Sequence, residues 1–147
     1  MEGMNTVSIW KCPKCGRYFQ RRKQQHSCTV YPVEKHLKGK DFARSLYDML
    51  MKKIRKEAGD FKVESLPCCI HFVKPSNAFT FAAVYALRDR IRIHFGLNRE
   101  VRSPRIDKSA KVSASKYMYS IDIKDAKEMD GELLSWMKEA YNLKQIR

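Results

Sequence analysis

Cys12, Cys15, His26 and Cys28 are the residues of this chain whose types and spacing carry the most definite chemistry. Cys12-Pro13-Lys14-Cys15-Gly16 places two thiols across a proline-containing turn that ends in glycine, which lets both sulfurs grip one tetrahedral ion. His26 and Cys28 follow with one residue between them, and in an extended segment such residues project from the same face. Three thiolates and one neutral imidazole suit zinc, and a four-ligand site has no open position for substrate. The expectation is therefore one structural Zn2+ per chain. The His-x-Cys spacing is shorter than the His-to-ligand spacing of DNA-reading fingers, so no recognition helix is expected. A redox pair is the alternative, but no strand-helix-strand pattern surrounds Cys12. Trp10, Tyr18 and Phe19 are expected to pack around the ion, since so short a segment cannot build a core alone.

The wider composition frames that site. An odd count of five cysteines speaks against a disulfide framework. Residues Met1 to Trp10 lack both a basic cluster and an apolar run, so no secretory leader is expected. The longest nearly uncharged apolar stretch, Ala78 to Leu87, is far too short to span a bilayer as a helix. The expected location is cytoplasmic, with reduced thiols and no membrane partner.

Thirty basic residues against sixteen acidic ones leave a net charge of +14, which favours encounter with polyanions. The excess is uneven. Residues 1–28 carry six basic and one acidic side chain, residues 99–116 six and two, and residues 117–147 five and six. Arg99, Arg102, Arg105, Lys108 and Lys111 recur every third residue, and Pro104 argues against an uninterrupted helix there. This reads as a flexible loop laid along phosphates. With Lys14, Arg17, Arg21 and Arg22 of the head and Arg90 and Arg92 of a strand, these residues form the expected nucleic-acid contact. The alternatives are a protein-interaction adaptor whose metal head docks a partner chain, and charge that serves solubility alone.

The elements that must position these residues follow from periodicity. Asp41 to Ala58 predicts a helix with Phe42, Leu46, Met49, Leu50 and Ile54 on one stripe and Gly59 as its stop. Strands are expected at 61–66, 69–74, 78–87, 90–97 and 117–123, and a last helix at 131–142 capped by Asp130. The fold class expected is α+β: a two-layer sandwich of helix, five mainly antiparallel strands and helix (31–147), preceded by a zinc module (1–30) and a linker at 29–40. Around Arg88-Asp89-Arg90, a three-residue connection would pair Tyr85 with Ile93 and Ala83 with Phe95, gathering large apolar residues under the helices. A two-residue turn would instead set Tyr85 and Phe81 beside the arginines. The first register separates polar from apolar better and is the one expected.

Catalytic candidates are thin. His71 and His94 sit in strands, where an imidazole with Glu64 or Asp122 has the groups for acid-base work or for a second metal, but no spacing demands either. Cys68-Cys69 read as a buried thiol and an incidental neighbour rather than a metal site, since adjacent strand residues point to opposite faces. No catalytic residue is assigned, and a non-enzymatic protein is expected.

Taken together, Trp10-x-Cys12-Pro13-x-Cys15-Gly16-Arg17-x-Phe19, Gln24-x-His26-Ser27-Cys28, Leu46-Tyr47, Phe81-Ala82-x-Val84 and Glu132-Leu133-Leu134-x-Trp136 resemble an uncharacterised bacterial family, the domain of unknown function fifty-six fifty-five. The resemblance extends to YdhG-like domains and implies a helix-sheet-helix fold similar to frataxin. The iron-handling role that this likeness raises needs an acidic face. The first long helix instead ends in Lys52, Lys53, Arg55 and Lys56.

Overall fold

The protein is described from a computed structural model covering residues 9–26, 28 and 30–143. The leader-free reading of the N-terminus lies mostly outside these residues, as does Ser27. Two short strands, β1 (Trp10–Lys11) and β2 (Tyr18–Phe19), form a ribbon that pairs Trp10 with Phe19 and Lys11 with Tyr18. Next come α1 (Val33–Leu37) and α2 (Asp41–Glu57), and then β3 (Lys62–Ser65), β4 (Ile70–Lys74), β5 (Phe79–Ala86), β6 (Ile91–Leu97), β7 (Ile106–Ser113) and β8 (Lys116–Ile123). The last element is α3 (Gly131–Tyr141). Strands β3 to β8 make one antiparallel sheet in the order β3-β4-β5-β6-β8-β7.

Helix α2 buries Ala43, Leu46, Tyr47, Leu50 and Ile54, a stripe at three- and four-residue spacing. Phe42, expected on that stripe, is half exposed because it lies one residue off the buried arc. Helix α3 buries Leu133, Trp136, Met137 and Ala140, and the Asp130 carboxylate accepts the Leu133 N–H at 3.1 Å as its N-cap. Both helices lie over one sheet face, where Ile70, Phe72, Val84, Ile93, Phe95 and Ile121 complete the core. Gly59 ends α2 at φ +144°, and a side chain there would meet the Tyr141 hydroxyl at 2.8 Å. That hydroxyl donates to the Asp60 carbonyl at 2.7 Å, tying the two helix ends together.

Three expectations are corrected. The sheet has six strands rather than five, because half of the expected basic loop at 99–116 is strand β7. Apart from Ile106, this edge strand is exposed along its length, so no burial pattern marks it in the sequence. The expected linker contains α1, whose Leu37 is buried and whose His36 Nε2 lies 2.7 Å from the Leu66 carbonyl.

The β5–β6 register is the other one weighed. Tyr85 pairs with Arg92, Val84 with Ile93 and Ala82 with Phe95 across a two-residue turn, with the Leu87 N–H donating to the Arg90 carbonyl at 2.9 Å. Alternation then sends Ala82, Val84 and Ala86 into the core and Tyr85 out. Phe81 stays buried because the β4–β5 pairing slips by one residue, from Phe72↔Ala82 to Val73↔Thr80. That irregularity frees one large residue from strict alternation, and alternation was what favoured the other register.

Candidate metal centre and open sheet face

In the head, the Gly16 N–H donates to the Cys12 carbonyl at 2.8 Å and the Cys12 N–H to the Arg17 carbonyl at 2.9 Å, closing a tight loop. Gly16 takes φ +75° there, a conformation side chains disfavour. The loop turns Cys12 and Cys15 toward His26 and Cys28. Cys12 Sγ and Cys28 Sγ are 3.6 Å apart, and His26 Nε2 is 3.4 Å from Cys15 Sγ and 3.3 Å from Cys28 Sγ. All four donor atoms lie within 4.8 Å of one another, so the cluster can hold a metal ion. Bonds of about 2.0–2.3 Å at tetrahedral angles put donors about 3.4–3.8 Å apart, so the spacing fits.

The surroundings prepare the donors. His26 Nδ1 is 2.6 Å from the Gln24 carbonyl, which assigns the proton to Nδ1 and leaves Nε2 as the ligand atom. Phe19 lies against the His26 ring with centroids 4.1 Å apart, and Trp10 is 5.9 Å from both rings. The hydrogen bond from the Cys15 backbone lowers the Cys12 thiol to about 6. Cys28, hydrogen-bonded to Cys12, is pushed up to about 11.

The head is fastened to β3. The buried Glu64 carboxylate accepts the Tyr18 N–H at 2.9 Å and meets Arg17 Nε at 3.5 Å. Lys62 Nζ donates to the Gly16 carbonyl at 2.9 Å and sits 4.3 Å from the centre of the Tyr18 ring.

Glu64 belongs to the sheet face that the helices leave uncovered. Pairing lines up Glu64, His71, Ala83, His94, Ser120 and Lys108 across β3, β4, β5, β6, β8 and β7, with Cys69, Tyr85, Arg92 and Asp122 in the next row. A concavity of about 530 Å³ opens here between Arg92, His94, Lys108 and Met118. Ser120, whose buried hydroxyl has no hydrogen-bond partner among the described residues, belongs to its lining. Two further hollows share His71 and extend the trough to Gln20 and Gln24 of the head. The Tyr85 and His94 rings adjoin with centres 4.6 Å apart and planes tilted by 46°. Burial lowers the His71 and His94 pKa values, which favours neutral imidazoles.

The structure scatters the basic residues read from the sequence. Arg99 makes a bidentate pair with Glu139 of α3 at 2.9 Å, and Arg102 pairs with Glu100 at 3.2 Å. Arg105 reaches Asp130 at 2.8 Å, Glu132 at 3.1 Å and the Glu128 carbonyl, with its guanidinium 5.9 Å from the Trp136 ring centre. Arg90 pairs with Asp89 and Asp122, and Arg92 is bidentate on Asp122 at 2.7 and 3.1 Å. Lys108 and Lys111 stand on opposite faces of β7, because a three-residue step along a strand changes face. Lys14, Arg21 and Arg22 are exposed on the head. Only Arg92 and Lys108 of this set line the concavity between β6 and β7.

Sequence reasoning weighed a second metal at the strand histidines with Glu64 or Asp122 and set Cys68-Cys69 aside as a metal site, so it did not join Cys68, Cys69 and His71 into the second cluster that the structure assembles. Leu66 to Cys69 form a turn closed by the Leu66 N–H on the Cys69 carbonyl at 2.9 Å. The turn brings Cys68 Sγ to 3.1 Å from Cys69 Sγ, and His71 joins them with all three donor atoms within 4.8 Å. Strand alternation does not govern Cys68, which lies in the turn. Burial and Cys68 raise the Cys69 thiol to about 12, while a hydrogen bond with the Tyr85 hydroxyl opposes them.

A family described as a domain of unknown function (DUF5655) matches residues 33–144. The chain belongs to that family. The matched span covers α1 through α3 and begins after the head, so the resemblance read over the head residues lies outside it. No curated protein and no solved structure matches the chain. Among the described residues, no helix is long and apolar enough to cross a membrane.

Proposed function

We propose that this DUF5655 protein is a non-enzymatic binder of single-stranded nucleic acid, with a structural zinc ion in the head and the open sheet face as the contact surface. The observation that carries the reading is the composition of that face. It is concave, bears cations and the half-buried Tyr85 and His94 rings, and has Ser120, whose buried hydroxyl has no partner among the described residues, in its lining. Unstacked bases can lie on the Tyr85–His94 pair, while Lys108 and Lys116 of the trough walls meet phosphates. Arg21 and Arg22 extend the path onto the head. The paired arginines at 99, 102 and 105 are not part of the contact in this reading, because each already holds a carboxylate. The Cys3His donor set supports zinc, and the packing of Phe19 and the edge-on Trp10 ring against His26 supports an ion that organises the head.

Titration of a fluorescent single-stranded oligonucleotide at several salt concentrations tests the contact. Engagement of four cations gives a slope of log affinity on log salt of roughly −2.8, at about 0.7 per contact. Lys108→Ala/Lys116→Ala lowers its magnitude by about 1.4, whereas Arg99→Ala leaves it unchanged. Absence of binding at low salt, or an Arg99→Ala effect equal to that of the lysine pair, defeats the proposal. Cys15→Ser is expected to lose the head's zinc by elemental analysis while the body keeps its helical circular dichroism and cooperative melt.

A further inference from the structure

We infer that the β3–β4 turn carries a second metal site, in which Cys68, Cys69 and His71 hold a thiophilic divalent ion beside the open sheet face. The inference does not depend on nucleic-acid binding. It rests on how the three donors are brought together.

Pro67 opens a turn that is closed by the Leu66 N–H on the Cys69 carbonyl, and this bends Cys68 back over its neighbour. Cys69 and His71, two residues apart on an extended strand, project from the same side as Tyr85 and Ala83. The donor atoms lie within 4.8 Å of one another. Two Zn–S bonds of about 2.3 Å at a tetrahedral angle place sulfurs about 3.8 Å apart, so the 3.1 Å sulfur pair needs only a small side-chain adjustment to seat an ion.

The surroundings suit a charged centre. His71 stands opposite the buried Glu64 and borders the trough in two of its hollows. Glu64 in turn is held by the Tyr18 N–H and Arg17 of the head, so the second site and the first are bridged by one carboxylate and the β1–β2 ribbon. Two thiolates and one imidazole neutralise a divalent ion, with the two thiol protons released to solvent on binding. Cys68 is exposed while Cys69 is 2 % exposed, which gives the ion a route from solvent to a buried anchor. Three protein donors leave a fourth position for water or a small ligand, unlike the closed head.

The experiment uses full-length protein kept under a phosphine reductant, saturated with zinc, passed through a desalting column and assayed for zinc per chain. Wild type is expected to retain two ions. Cys68→Ser and His71→Ala each reduce this to one, and Cys15→Ser also reduces it to one by emptying the head. Cys15→Ser/Cys68→Ser retains none. Circular dichroism confirms that each variant is folded, and Cys68, being exposed, is a replacement the core does not feel. Two ions retained in both Cys68→Ser and His71→Ala, or an ion count in Cys15→Ser unchanged by adding Cys68→Ser, overturns the second site. A count that falls with Cys68→Ser but not with Cys15→Ser upholds the second site and overturns the zinc head, so the two readings fail separately.

Discussion

Arg105 distinguishes a loop cation from a structural one. Its side chain is 21 % exposed, and its guanidinium sits between the Asp130 carboxylate that caps α3, the Glu132 carboxylate and the Glu128 carbonyl, beside Trp136. In Arg105→Ala the carbonyl loses a donor, which costs about 1 kcal/mol. The two half-exposed carboxylates contribute about 0.5 kcal/mol each after solvent screening, and loss of the contact with Trp136 adds about 0.5 kcal/mol. The total is about 2.5 kcal/mol, or a fall in melting temperature of about 5–10 °C for a domain of this size. Arg102→Ala is the control, since that side chain is 86 % exposed and among the described residues pairs only with Glu100, and its melt should stay within about 2 °C of wild type.

The pH dependence gives a second readout. The Arg105 guanidinium lowers the Asp130 pKa, so this part of the stability is fully present above the unfolded carboxylate value of about 3.9. It is lost as pH falls through the lowered folded value. The gap between wild type and Arg105→Ala should therefore hold from neutral pH to about pH 4 and narrow below it. Thermal melts at pH 7, 5 and 3 measure both effects. An Arg105→Ala melt indistinguishable from that of Arg102→Ala at pH 7, or a gap that widens on acidification, refutes the assignment.

Two further outcomes test the packing. Phe81→Ala should cost about 3–5 kcal/mol in urea denaturation because it empties a core position, whereas Tyr85→Ala, on the outer face, should cost under about 1 kcal/mol; comparable losses would contradict the register. Gly59→Ala should destabilise by about 1–3 kcal/mol, since the new methyl group displaces the Tyr141 hydroxyl from Asp60 and the backbone there disfavours a side chain; an unchanged urea midpoint would speak against that close approach.

Local chemistry made much of the protein legible in its sequence. Cys12 to Gly16 states its own turn, and His26 and Cys28 complete a donor set that few other roles require. The stripe of α2, the Asp130 cap of α3 and the five hydrophobic strands depend on spacing within one segment, which sequence records directly. Strand β7 was not legible because an exposed edge strand is held by backbone pairing with β8, and pairing leaves no burial pattern.

Other features were decided only by pieces of chain meeting in space. A slip of one residue near Phe81 let both Phe81 and Ala82 face the core, so the parity of large residues pointed to the wrong β5–β6 register. The third-residue rhythm of Arg99, Arg102, Arg105, Lys108 and Lys111 looked like one basic surface. The acids that separate its arginines from such a surface include Asp130, Glu132 and Glu139, far along the chain. Cys68 joined Cys69 and His71 because a turn overrode the alternation expected of a strand. In each case residue type and spacing determined what a side chain can bind, and tertiary pairing determined which partner reached it first.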